Sequence, residues 1–221
     1  MSFEVLPLLD IQRQLLAQPR DFARFKGYLK TLLNAEGDAV ELPINAFNPM
    51  SKEPIAAILN AMIALNAEQI LREACGQVAA QFPGMRAFKT GWVIADDVQG
   101  SWTHRPTAEL KRLRGKDYEL EHGFATVTWW SSQGLPTQEQ LHKQASGQLY
   151  DLAYCASHGP QPTLGQLHDL ISRRALFSGL PQPAAIPPDL AGATDDAALI
   201  AALYGDAEAA KLGYAPLGLL P

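Results

Sequence analysis

The segment Phe88-Lys89-Thr90-Gly91-Trp92-Val93-Ile94-Ala95 is dense in aromatic and β-branched residues and reads as a strand. It ends at Asp96-Asp97, ahead of a turn containing Gly100. A second strand follows at Phe124 to Trp130, with Ala125, Val127 and Trp129 on one face and Phe124, Thr126, Thr128 and Trp130 on the other. The connection between them is ambiguous: Glu109 to Arg114 reads as one or two helical turns and Tyr118 to Glu121 as a strand. No crossover helix of about a dozen residues is evident, and parallel neighbours need one, so the two strands are expected to pair antiparallel.

Working outward, both flanks are helical in pattern. Leu8, Ile11 and Leu15 recur at helical spacing until Gln18-Pro19, and Asp21 caps a second helix whose apolar face would be Phe22, Phe25, Leu29, Leu32 and Leu33. Residues 39–50 alternate without a clean period and read as an extended loop, at most a short edge strand. Ser51 is the expected N-cap of a helix carrying Ile55, Ile58, Leu59 and Met62, and Asn66 with Gln69 resembles a capping box. After the strands, Thr137 with Gln140 and Thr163 with Gln166 repeat the box ahead of two further amphipathic helices. Four prolines without periodicity mark an irregular wrap at 178–194, whose Leu180, Ile186 and Leu190 suggest contact with the core. Two short helices, Asp195 to Tyr204 and Asp206 to Leu212, precede an apolar tail.

The expected architecture is therefore α+β: a mainly helical single domain over 1–221, with a small antiparallel sheet at about residues 86–131 and helices on one side of it. Its parts are a helical N-terminal layer (1–83), a central strand-containing segment (84–134) and a helical C-terminal part (135–221). A chain of 221 residues, 47% hydrophobic, can bury roughly 70% of its unfolded surface and needs neither disulfide nor metal to fold.

Composition narrows the function classes. The net charge of −5 disfavours non-specific affinity for nucleic acid or an anionic membrane. No stretch approaches the ~20 apolar residues of a membrane span, and the start of the chain does not read as a signal peptide. Cys75 and Cys155 stand far apart in apolar helical surroundings, so a disulfide scaffold is excluded and a cytoplasmic setting expected. The glycine-rich phosphate cradles, G-x-S-x-G, H-E-x-x-H and C-x-x-C are all missing.

What remains is a concentration of unusual residues from Trp92 to Trp130, which contains all four tryptophans. A loop after a strand commonly carries binding residues. The candidate site is Asp96, Asp97, Trp102, His104, Arg105, Glu121 and His122. The acids and histidines suit a divalent metal or an acid/base pair, with Trp102 as a wall. The plainer account has the aspartates capping a turn and the tryptophans filling the core. The basic run Arg105, Lys111, Arg112, Arg114 and Lys116 is followed at once by Asp117, Glu119 and Glu121, so it reads as a solvated connection. His142, His158 and His168 read as structural or solvated rather than ligands, and the Tyr150-Asp151-Tyr154 group as helix-surface or interface composition. Two functions stand: a ligand-binding or protein-interaction protein that self-associates, and a small metal-dependent hydrolase or lyase using the 96–105 loop.

Overall fold

The computed structural model describes residues 3–98, 103–115 and 121–212. Trp102, Gly100, Tyr118 to Leu120 and the apolar tail lie outside the described residues. Strand β1 (Phe3–Val5) and helices α1 (Leu8–Ala17), α2 (Phe22–Leu32), α3 (Ile55–Ala64) and α4 (Ala67–Gln81) come first. They are followed by β2 (Phe88–Ala95), α5 (Arg105–Leu113) and β3 (Phe124–Trp130), then a 3-10 turn at Ser131–Gln133. The chain ends in α6 (Gln138–His158), α7 (Leu164–Ser178), a 3-10 turn at Pro188–Leu190, α8 (Asp196–Tyr204) and α9 (Asp206–Lys211).

The sheet runs β1-β2-β3 and every pairing is parallel, which overturns the antiparallel expectation. The reason lies in α5. Its nine residues include Pro106 in the first turn and only Leu110 and Leu113 as buried aliphatics, so its apolar signal is weak. Together with its flanking segments it still returns the chain to the start of β3. Burial tells the same story, because Thr90 to Ala95 are all buried and β3 is buried on both faces apart from Thr126. Strands covered on both sides are the mark of parallel sheets, and one-sided helix packing is excluded with the antiparallel pairing. Gly91 is required by this packing: a Cβ there would lie 2.5 Å from the Leu8 side chain.

Two glutamines fill places along the open edges of β2 and β3. β1 pairs only as far as Thr90, so the later part of β2 has an open edge. Gln12 of α1 fills it, its amide nitrogen donating to Trp92 O (2.8 Å) while its oxygen accepts from Ile94 N (2.9 Å). On the outer edge of β3, Gln148 of α6 accepts from Thr128 N (2.9 Å) and donates to Thr128 O (2.8 Å). Each side chain substitutes for one residue of a neighbouring strand and blocks pairing with another chain.

Local capping signals fare unevenly. Asp21, Thr137, Thr163 and Asp195 accept from the first-turn amides as their positions suggest. Ser51 does not cap α3; its hydroxyl donates to Asn48 O, and Glu53 accepts from Ala57 N instead. Asn66 adopts a left-handed conformation and makes no cap, because α3 and α4 turn by 68° at that point. The α2 face is only partly as expected: Phe25 and Leu32 are partly buried against the core and Arg24 and Tyr28 are buried beside them, whereas Phe22 is 67% exposed and Leu29 and Leu33 are exposed as well. The Tyr28 hydroxyl reaches Ile44 O (3.2 Å), and loop residues Ile44 and Phe47 are fully buried, so a tyrosine rather than a leucine stripe anchors the helix. Among the described residues no single helix is long and apolar enough to cross a membrane.

Candidate functional site

Parallel pairing determines where the sequence-predicted residues stand. Ala95 lies opposite Trp130, so Asp96 and Asp97 leave the sheet beside Ser131 and Ser132, at the carboxyl end where parallel sheets commonly hold ligands. Asp97 Oδ1 accepts from Ser132 N (2.9 Å) and lies 3.0 Å from Ser131 Oγ; its Oδ2 accepts from the Ser132 hydroxyl (2.6 Å). The buried Asp96 accepts from Val98 N (3.2 Å) and faces Ser131 Oγ (3.3 Å). His104 caps α5 through Nδ1, with Thr107 Oγ1 at 2.9 Å. Arg105 reaches Ser132 Oγ (3.3 Å) and lies 5.7 Å above the Trp130 ring.

Asp96, Asp97, His104 and Arg105 thus belong to the carboxyl end of the sheet, but they engage Val98, Ser131, Ser132, Thr107 and Glu109 rather than converging on one point. Asp97 in particular has both oxygens occupied in holding the Ser131–Gln133 turn. Glu121 and His122 precede β3 and stand at its opposite end, about 20 Å away by the rise of seven strand residues. Among the described residues no three His, Cys, Asp or Glu side chains gather closely enough to hold a metal ion.

A different polar cluster is buried behind α5. Asp151, in the middle of α6, is wholly buried, with Arg174 Nη1 at 3.1 Å from its Oδ2 and Arg112 Nη2 at 3.8 Å. Arg112 also donates to Gln148 Oε1 (2.6 Å), which ties the cluster to the edge of β3. Burial pushes the Asp151 carboxyl above its ordinary value, against the pull of the two arginines, while Asp151 raises Arg174 in turn. Asp151 Oδ1, Arg112 Nε and Arg174 Nε are buried without a hydrogen-bond partner among the described residues. Next to them Glu109 of α5 binds Arg105 (2.9 Å) and sits beside the Tyr204 hydroxyl of α8; burial, with Glu109 adding to it, drives that phenol well above its ordinary value. The basic run is therefore only partly solvated: Arg112 and Arg114 are each 13% exposed, and Arg114 pairs with Asp196.

This cluster borders a pocket of about 280 Å³. Its polar wall is Glu109, Arg174, Tyr204 and His168, and its apolar wall includes Ile171 and Ala202; residues 181–187 of the wrap form the roof. The roof is held at several points. His168 Nε2 lies 3.0 Å from Ala184 O, and the first-turn amides of α7, Leu164 N and Gly165 N, donate to Ala193 O and Ala191 O (both 2.9 Å). At the other end Leu180 packs where a Cβ on Gly147 would come within 2.9 Å of it, so glycine is what lets the wrap approach α6.

The sequence places Asp151 and Tyr150 with helix-surface or interface features, whereas both are buried, and it gives no site role to Arg174, Glu109 or Tyr204. One signal was present: Asp151 is the only charged side chain in residues 144–157. A lone carboxylate in such a stretch has to be either on a surface or paired, and every residue from Ala145 to Ala153 is buried. Compared with known protein families, with curated proteins and with solved structures, the chain matches none.

Proposed function

We propose that this protein binds a small molecule with an apolar body in the pocket beneath residues 181–187. The observation that carries this reading is the placement of a buried, incompletely satisfied charge network directly behind a roofed, largely apolar cavity. Buried ionisable groups with perturbed pKa values in a cleft are costly to maintain for stability alone and concentrate at functional sites. A few convergent polar groups on an apolar wall are also what orient small ligands. The sheet-end corner supports the reading less well, because the Asp97 carboxylate is consumed by its own turn. A cytoplasmic setting belongs to the same proposal. It is supported by two buried free thiols, which burial pushes up to about 12.

The test is a fragment screen by thermal shift on the wild type and on Ala202→Phe, which fills the pocket while leaving every charged residue in place. Ligands at saturating concentration raise the melting temperature in proportion to RT ln(1 + [L]/Kd). Hits whose shift disappears in Ala202→Phe support the proposal. An empty screen, or hits unaffected by Ala202→Phe, would count against it.

A further inference from the structure

The charges around the pocket do not balance, and the imbalance names a ligand class. Among the described residues, Arg105, Arg112 and Arg174 pair with Glu109 and Asp151, two carboxylates for three guanidiniums. Glu109 is committed to Arg105 and to the Tyr204 hydroxyl, and Asp151 Oδ2 to Arg174 and Arg112. Of the polar groups lining the pocket, His168 is engaged by the roof through Nε2. Arg174 is different, because one of its amino groups holds Asp151 and Nη2 bonds no described residue. A guanidinium already fixed through one nitrogen is oriented in advance, so a second acceptor costs little side-chain entropy. The partner it fits is an anion, and a carboxylate matches the planar fork best. The remaining lining, Leu113, Ile171, Ile186 and Ala202 with the wrap prolines, offers nothing polar from its side chains to the rest of the molecule.

We infer that the ligand is a small carboxylic acid whose carboxylate rests on Arg174 and whose apolar body lies beneath the wrap. The inference depends on the pocket being a binding site, and its test separates the two ideas. Benzoate and benzamide share a body and differ in charge. Titration calorimetry of the intact protein with each, in wild type, Arg174→Gln and Ala202→Phe, reads both claims at once. Replacing a charged partner in a hydrogen bond by a neutral one is worth roughly tenfold or more in affinity. The expected result is benzoate binding at least about tenfold tighter than benzamide in the wild type, with this preference lost in Arg174→Gln and both ligands lost in Ala202→Phe.

Equal affinity for the two probes would overturn the anionic assignment while leaving the pocket as a site. Benzoate binding that survives Ala202→Phe would place it elsewhere and also overturn the assignment. Failure of both probes at concentrations up to about 10 mM would overturn the assignment, since even a millimolar complex is detected there. If the fragment screen is also empty, the pocket reading falls with it. Should Arg174→Gln fail to fold, Ala202→Phe together with the wild-type preference still decides the matter.

Discussion

At the residue scale Asp151 is the most consequential side chain. It is a carboxylate with no solvent contact, held between two arginines of different helices. Removing one member of a buried ion pair strands the others, so Asp151→Ala is expected to lower stability by about 3–5 kcal/mol in urea denaturation. A loss below about 1 kcal/mol would show that the pair contributes only as an exposed one does. Its titration has a definite sign. Burial places the folded pKa above the ordinary 3.8, so the stability tied to this carboxyl is complete below about pH 4 and drains away as pH rises through the folded value. Asp151→Asn should flatten the stability curve over that range, and a variant with the wild-type slope would assign the dependence to another group.

Asp151 also shows what one sequence conceals. Its partner Arg174 is 23 positions away, and Gln148, bonded by Arg112, is 36 positions from that arginine. No periodicity pairs residues across such separations. The lone charge in an uncharged run was visible, but its burial depends on α6 being surrounded by β3, α4, α5 and α7. Asp96, by contrast, was legible: an aspartate closing a strand is turn chemistry, and it accepts from Val98 N two residues on. Asp97 instead holds the Ser131–Gln133 turn, 35 positions away at Ser132, which no local rule shows.

At the scale of elements, helix starts with a local device were legible at Thr137 and Thr163, because a capping box needs only four consecutive residues. Strand direction was not, because it is decided by the path between strands and α5 is short and highly charged. The two edge-filling glutamines were equally hidden, since an amide on a helix gives no sign that it will stand in for a strand. Gln148→Leu tests that role. It removes the acceptor of Thr128 N, while Thr128 O keeps the Gln144 amide (3.2 Å), and a buried unsatisfied group costs about 1–3 kcal/mol. The expected outcome is that loss of stability together with faster hydrogen exchange at the Thr128 amide. Unchanged exchange at Thr128 would show that β3 does not depend on α6 for its edge.

At the scale of the molecule, the parallel sheet, the buried charges and the wrap form one connected arrangement. Gln148 joins the edge of β3 to Arg112, Arg112 to Asp151, and Asp151 to Arg174 at the pocket wall. The wrap closes over that wall, fixed to α7 at one end and packed on Gly147 at the other. The concentration of tryptophans that drew attention in the sequence resolves largely into packing, with Trp92, Trp129 and Trp130 all buried. The ligand-binding reading rests instead on residues contributed by α5, α7, α8 and the wrap. Electron density from a crystal of the protein soaked in benzoate tests this most directly. The account predicts a benzoate beneath residues 181–187 with its carboxylate on Arg174. Benzoate at the Asp97–Arg105 corner instead, or a pocket holding only water at saturating benzoate, would contradict it.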